Sequence, residues 1–391
     1  MMKALLEAVD RITLTLQEAG AQADTDRMLP DTAYDAMLGA GLFGMTAPLG
    51  FGGLELHPVE ALQVVEAVAR IDSSAGWNLN QSSAVGGAIS GLPNAGAQEV
   101  YSRGADTIFA GGFYPPALAV RVDDGWRVTA RTPFVSGCQR AHWFGVPIIE
   151  VSQDASPFDP KRENPQPILA VVPRDEVDVL DTWQTVGLRG TFSADVVYDD
   201  VFVPDDRVAF MDRHGERAAP FQGPLFGIWP WLPVHGEAAV AIGIASAAVD
   251  ALIDLATRKQ PSYARAPLNH RESAQQNVAR ARALIDAGRA TLHEAMAALY
   301  DDAVQSGRSY SEQSKIKAQL AACFTTEASA KAVDLVHEAA GSSSIRIEHP
   351  FERYHRDIHV ITQHAYRSTA RYVDAGKMIY GMQPEFWTLE L

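Results

Sequence analysis

The N-terminal quarter of the chain has apolar residues at helical spacing. They recur three or four positions apart in two stretches, at Ala4, Leu5, Val9, Ile12 and Leu16 and again at Ala61, Val65 and Val68. Pro30 and the glycine cluster at 50–53 interrupt this period. The pattern therefore predicts an all-α N-terminal domain over residues 1–108.

From Phe109 the pattern changes to short β-branched runs separated by turn residues. The runs that predict strands are 119–122, 126–128, 168–172, 177–179, 195–198 and 201–203. Residues 152–166, rich in Pro, Asp and Asn, predict a surface loop. We expect a compact, barrel-like β domain over residues 109–220.

After Pro224 the helical period returns in long segments. Residues 237–259, 272–305 and 311–340 have the lengths expected of an antiparallel bundle, and two last helices are predicted with a split near His349-Pro350. The C-terminal bundle domain is thus predicted over residues 221–391. The fold class is α+β: a helical domain, a β domain and a helical bundle.

Composition narrows the class of protein. The formal charge of the 391 residues is -15, and their cations are scattered among more numerous acids, which argues against nucleic-acid binding. Two cysteines, Cys138 and Cys323, are too few for a disulfide framework, so a reducing cytoplasm is expected. The N-terminus reads as an amphipathic helix, and we expect neither secretion nor a membrane span.

The sequence from Glu352 to Asp357, followed by His364 and Ala365, carries the most information about family. With Gly50–Leu54, Val186–Thr191 and Val201–Pro204 in this order, it resembles the acyl-CoA dehydrogenase superfamily. Dehydrogenases of this superfamily commonly have a catalytic glutamate where this chain has Ala365. His364 in the preceding position is similar to the two-component flavin-dependent monooxygenase branch.

This resemblance implies a cofactor and partners. The cofactor would be reduced flavin, as FMNH2 or FADH2, which forms a C4a-hydroperoxyflavin with molecular oxygen and oxygenates an apolar, aromatic small molecule. A separate flavin reductase would supply the flavin, since no Gly-x-Gly-x-x-Gly strand-turn-helix pattern occurs. The branch also implies a homotetramer.

The resemblance also assigns candidate site residues. His364 would be the catalytic acid or base, since imidazole exchanges protons near neutral pH, and the Ser136 hydroxyl would lie over the flavin ring. The predicted flavin-binding residues are Ser136, Arg189, Thr191, Arg258, Ser342 and Ser343. The predicted substrate-binding residues are Trp77, Asn80 and Trp143.

Some features leave alternatives open. Many aromatic hydroxylases of the branch have a further histidine near Gly76–Ser83, where this chain has none, so the substrate could be an indole, a polyketide or an amine rather than a simple phenol. A dehydrogenase with Glu237 as base, near the family position taken by Pro233, is one alternative. A non-catalytic scaffold is the other. We expect no metal, because His364 lies off the helix face shared by His355 and His359.

Overall fold

The computed structural model describes residues 1–151, 168–211, 217–307, 309–367 and 369–385. The predicted loop at 152–166 lies outside the described residues. Helices occupy both ends of the chain and a mixed sheet lies between them. This order confirms the predicted fold class, whereas the three domain boundaries stay a prediction.

The N-terminal part is helical, as the apolar spacing predicts. Local signals place the helix starts: Pro58 occupies the first turn of α4, and the Asp72 carboxylate accepts a hydrogen bond from the Ala75 amide as the N-cap of α5. The helices are α1 Met2–Arg11, α2 Thr13–Asp26, α3 Asp31–Gly39, α4 Pro58–Ile71, α5 Ser73–Ala88 and α6 Asn94–Val100.

The central strands form one sheet with the order β6-β7-β3-β2-β4-β5-β8, and β1 pairs with β4. Strands β1 and β2 run parallel to β4, and the other pairs are antiparallel. The strands are β1 Phe109–Gly111, β2 Ala117–Val122, β3 Gly125–Val135, β4 Trp143–Glu150, β5 Ile168–Pro173, β6 Asp178–Leu180, β7 Ala194–Pro204 and β8 Val208–Phe210.

The sheet differs from the sequence prediction in β7, in β4 and in the short strands β1 and β8, which were not predicted. The runs 195–198 and 201–203 belong to a single strand, β7, whose register against β3 shifts where Asp200 has a φ of 51°. Strand β4 was not predicted, because Gly145 and Pro147 weaken its pattern. Pro147 is tolerated because β1 pairs with residues 143–145 and β2 with residues 148–150, which leaves Pro147 between the two ladders.

The C-terminal part is a bundle of long helices: α7 Leu232–Arg258, α8 Glu272–Ser306, α9 Glu312–Ala340, α10 Phe351–Thr362 and α11 Ala370–Ile379. Helix α7 starts five residues earlier than its predicted start at Glu237. The predicted split at His349-Pro350 was wrong, since Pro350 is the N-cap of α10 and the last two helices separate after Thr362.

One continuous core joins the two helical parts. Residues of α4 and α5, such as Val65 and Leu79, share a hydrophobic cluster with α7, α8 and α9. The segment Pro224–Arg258 is apolar and long enough to span a membrane by length and composition alone. However, 72% of its most apolar window is buried inside the fold, as in a core helix.

Helix α10 is fastened to the N-terminal helices and the sheet by ion pairs. Arg353 pairs with Asp72, and Asp357 accepts hydrogen bonds from the Ser73 hydroxyl and the Leu188 amide, the latter at 2.6 Å. Arg356 Nη2 lies 3.0 Å from Asp24 Oδ2. The Arg-Asp motif that indicates the family is therefore a structural anchor, and it fixes the N-terminal half of α10, the helix that His364 follows.

Candidate functional site

A row of hydroxyl groups crosses the end of the sheet. The Ser193 Oγ lies 2.7 Å from both the Thr191 Oγ1 and the Ser136 Oγ. Ser136 follows the end of β3, and Gly137 continues the turn with a φ of 71°, a conformation that favours glycine. Each hydroxyl can donate or accept, so the row can adapt to a ligand that changes its protonation state.

Trp77 connects this row to His364. Its indole Nε1 donates a hydrogen bond to the Ser136 Oγ at 3.0 Å, and its ring meets the His364 imidazole edge-on, with centroids 5.6 Å apart and an interplanar angle of 74°. Trp77 lies on α5 and is buried. The structure therefore brings His364 next to Trp77 and Ser136, both of which lie more than two hundred residues earlier in the sequence.

His364 lies beside a buried carboxylate. Its Nδ1 is 3.1 Å from the Glu237 Oε2, and its side chain is 35% exposed while that of Glu237 is 1% exposed. The Nδ1–H bond is not aligned with this oxygen, so the contact is one of charge at ion-pair distance rather than a well-formed hydrogen bond. A small rotation of the imidazole ring on ligand binding would align the Nδ1–H bond with the Glu237 Oε2.

Glu237 is held in place from three sides. Besides His364, the Gln81 Nε2 donates to its Oε1 at 3.2 Å, and the Arg367 Nε donates to its Oε2 at 3.3 Å. Burial alone would raise the pKa of this carboxyl. The charges of His364 and Arg367 and these hydrogen bonds outweigh burial and hold its pKa below the ordinary value. Glu237 is therefore an anion at neutral pH.

Asn80 and Gly236 show how closely α5 approaches α7 next to this carboxylate. The Asn80 Nδ2 donates to the Pro233 carbonyl at 3.4 Å, and a Cβ added at Gly236 would lie 1.6 Å from the Asn80 Oδ1. Any larger residue at position 236 would displace the buried Asn80 side chain. The close approach carries Gln81 to Glu237.

Comparison with known proteins decides the family. Residues 3–102 match the acyl-CoA dehydrogenase N-terminal domain, and residues 235–369 match the acyl-CoA dehydrogenase C-terminal domain. The chain is also 30% identical over 98% of its length, and 94% of the relative's, to indole-3-acetate monooxygenase of Pseudomonas putida. It belongs to the acyl-CoA dehydrogenase family. Within that family it is a flavin-dependent monooxygenase.

Three further comparisons agree with this family. HsaA of Rhodococcus jostii, a flavin-dependent monooxygenase oxygenase subunit, is 26% identical and aligns over 96% of this chain and 98% of its own. The solved structure of 3-HSA hydroxylase from Rhodococcus sp. RHA1 superposes with a TM-score of 0.86 at 25% identity, covering 98% of each chain. The fold is also that of XiaF from Streptomyces, with a TM-score of 0.89 at 23% identity over 98% and 97% of the two chains.

Arg189, predicted to bind flavin, and Trp143, predicted to bind substrate, both contact other groups of the protein. The Arg189 Nε donates to the Asp24 carbonyl at 2.6 Å, so its guanidinium ties the sheet to α2. Trp143 lies on β4 within a separate apolar cluster, 6.0 Å from the Arg207 guanidinium. Their proposed roles toward flavin and substrate stay predictions.

The other predicted flavin residues lie where α7 and α9 end. Arg258 is exposed and pairs with Asp254. The neighbouring Lys259 Nζ donates to the Ser343 Oγ at 2.9 Å, while Ser342 is exposed. A lysine and serine in contact are suited to an anionic group, but the assignment of Arg258, Ser342 and Ser343 to flavin stays a prediction.

Sequence reasoning missed Ser193 and Arg367. Ser193 follows the predicted Thr191 by two residues, which is the signal that could have placed both hydroxyls together. Arg367 lies three residues after His364, but the sequence holds nothing that pairs it with Glu237, 130 positions earlier. Glu237 was considered only as a dehydrogenase base and not as the partner of His364.

Proposed function

We propose that this monooxygenase inserts one oxygen atom into a neutral, indole-type aromatic ring. The observation that carries the proposal is the continuous set of contacts from Ser136 through Trp77 to His364 and Glu237. It combines a hydroxyl group, an aromatic surface and a proton-exchanging imidazole in one partly buried place. These are the groups that transfer of oxygen to an aromatic ring requires.

The residues at the site fit a flavin ring. The hydroxyls of Ser136, Ser193 and Thr191 can both donate and accept, as the ring edge requires in its two redox states. Phe134, two residues before Ser136, is 69% exposed and offers an apolar surface beside them. When bound, the reduced flavin supplies the two electrons that reduce dioxygen, so that one oxygen atom enters the substrate and the other leaves as water.

The protein's own groups would control the proton. His364, which is partly exposed, would donate a proton to the departing oxygen, and the Glu237 anion would hold and orient the imidazole. Trp77 would close one side of the site against water. Ser136 would hold the ring edge by a hydrogen bond.

The choice of an indole-type substrate has two supports. A phenol is activated by a base that removes its proton, and the segment Gly76–Ser83 contains Asn80 and Gln81 but no histidine. The relative at 30% identity is named for oxygenating indole-3-acetate. An indole ring is electron-rich without deprotonation, so a site with a proton donor and no second imidazole suits it.

We also propose FADH2 as the cofactor form and a separate reductase as its source. A relative of 27% identity, from Rhizobium, is named an FADH2-dependent resorcinol hydroxylase, oxygenase component. We further propose that the protein is a homotetramer and that it is located in the cytoplasm. Exposed apolar side chains on the bundle, Phe324 on α9 and Val373 and Ile379 on α11, would be covered by other copies.

The decisive experiment starts with anaerobic titration of the purified protein with FADH2 and with FMNH2. Rapid mixing with ¹⁸O₂ in the presence of indole, indole-3-acetate or phenol follows. We expect tight binding of FADH2 and a product carrying one ¹⁸O from an indole substrate, detected by mass spectrometry. Faster oxygenation of phenol than of either indole would overturn the substrate assignment.

The same experiment separates the rival functions. A scaffold would bind neither redox state of flavin. A dehydrogenase would hold oxidised flavin stably and would be bleached by an acyl-CoA. The structure disfavours Glu237 as a dehydrogenase base, because Gln81, Arg367 and His364 already occupy both its oxygens and hold its pKa low.

A further inference from the structure

A second cluster of histidines lies where α10 contacts α9, away from the contacts of His364. His355 and His359 are one helical turn apart and both face Asp334 of α9. The Asp334 Oδ1 is 2.9 Å from the His359 Nε2 and 3.6 Å from the His355 Nε2. All three of these atoms lie within 4.8 Å of one another.

These separations match the coordination shell of a transition metal. With metal–nitrogen and metal–oxygen bonds of about 2.0 to 2.2 Å, ligand atoms at tetrahedral angles lie about 3.4 Å apart. The two measured distances bracket this value. Because both imidazoles direct the Nε2 atom at the same carboxylate oxygen, small side-chain rotations would let all three bind one ion.

A third histidine lies next to this cluster. The His337 and His355 rings have centroids 4.5 Å apart, and the His355 and His359 rings have the same separation. Imidazole is a common ligand of transition metals, so this surface presents the ligand type that such an ion binds.

We propose that Asp334, His355 and His359 bind a divalent transition metal ion, with Zn²⁺ as the best fit. Two imidazole nitrogens and one carboxylate oxygen form a ligand set typical of zinc, and water would complete the shell. The hard ions Mg²⁺ and Ca²⁺ prefer oxygen ligands and would bind poorly. The three side chains are 38 to 42% exposed, so an ion can enter from solvent.

The site would act on the bundle rather than on the reaction. An ion there would join α9 to α10 across their interface, and α10 ends at Thr362, two residues before His364. The opposite face of α10 is already fixed by Arg353 and Asp357. Bound metal would thus fix the remaining face of the helix and stabilise the folded state in proportion to its occupancy.

The test is a titration of the full chain, without an affinity tag and after treatment with a chelator, with Zn²⁺ and with Co²⁺. We expect one ion per chain by calorimetry and visible Co²⁺ absorption bands of low-symmetry coordination. His359→Ala and Asp334→Asn should each weaken binding at least about 100-fold, because even outer-shell groups are worth about 10- to 100-fold. Zn²⁺ should raise the Tm of the wild type and not of these variants.

His270→Ala is the matched control, because His270 is an exposed histidine on a separate short helical turn. This variant should bind as the wild type does. The proposal is overturned if the wild type binds no more tightly than His359→Ala, or if His270→Ala reduces binding as much. Asp334→Asn keeps the shape of the side chain, so a loss of binding in that folded variant cannot be attributed to misfolding.

Discussion

Among the residues that the structure describes, a histidine lies at ion-pair distance from a carboxylate in two places, and these differ in burial. Glu237, which lies beside His364, is 1% exposed and receives additional hydrogen bonds from Gln81 and Arg367. Asp334, which lies beside His355 and His359, is 38% exposed, and its Oδ1 faces these two rings. Both oxygens of Glu237 contact donors within the protein, whereas the Asp334 carboxylate remains accessible to solvent.

This difference indicates different uses. A buried anion needs several donors to offset its desolvation, and once they are in place it cannot accept a proton or an ion easily. Its remaining effect is to orient and charge the histidine next to it. An exposed carboxylate has a small desolvation cost, so it can exchange its histidine protons for a metal ion. We therefore assign the first pair to proton transfer and the second to coordination.

The largest effect is expected from His364→Ala. If His364 supplies the proton in oxygen transfer, this change should lower product formation by about two to four orders of magnitude. Oxygen would still be consumed but would be released as hydrogen peroxide, which a peroxidase assay measures. Binding of FADH2 should change little. His349→Ala is the control, and a His364→Ala variant with wild-type product yield would remove the distinction between the two carboxylates.

Glu237→Gln should have the next largest effect, a loss of about tenfold to a hundredfold in product formation, because the imidazole remains but is no longer held by an anion. Since the low pKa of Glu237 keeps it charged, this change removes a negative charge beside the imidazole. Mass spectrometry of the oxygenated product measures the loss.

The control for this change is Glu66→Gln, which removes a carboxylate paired with Arg289 between α4 and α8. That variant should keep the wild-type product yield. A wild-type yield in Glu237→Gln, with circular dichroism showing a folded protein, would mean that Glu237 only joins helices.

Much of the fold could be predicted from the sequence, because the periodicity of apolar residues depends on local structure. The long helices α8 and α9 were predicted to within about one residue, since each has a continuous helical pattern with a clear start and end. Strand β4 was missed because pairing with neighbours on both sides, and not its own residues, makes it a strand.

Only part of the candidate site could be predicted from the sequence. His364 and Ser136 could be named from the resemblance, because each lies in a local motif. Their partners could not, since Arg367 and Glu237 meet across 130 residues and Asp334 meets His359 across two helices. Contacts of this kind depend on how helices pack, which a single sequence does not specify.

Ser136→Ala should have a smaller effect on the reaction than the changes at His364 and Glu237. Loss of one hydrogen bond in a dry site is worth about 1 to 3 kcal/mol, and we expect about a tenfold drop in the fraction of oxygen that enters product. The variant also leaves the Trp77 Nε1 without its acceptor, so the Tm should fall. Ser246→Ala, a buried serine of α7 beside Arg289, is the control and should keep wild-type coupling.

The smallest effect is expected at His355, and it tests the comparison at the exposed carboxylate, Asp334. Its pKa in the folded protein is lowered by burial and by His359 and His337, so as pH falls below about 6.5 the unfolded chain takes up a proton more readily than the folded one. Stability is thus unaffected at pH 8 and decreases as pH falls from about 6.5 toward the folded-state pKa.

Because the His355 side chain is 39% exposed, solvent screening limits this loss to a few tenths of a kcal/mol. Urea unfolding of metal-free protein at pH 8.0 and 5.5 should show that the wild type loses this much more stability than His355→Gln. If Asp334 instead held the ring as firmly as Glu237 holds His364, acid would stabilise the cluster. The wild type would then lose less stability than the variant, and the two carboxylates would be equivalent.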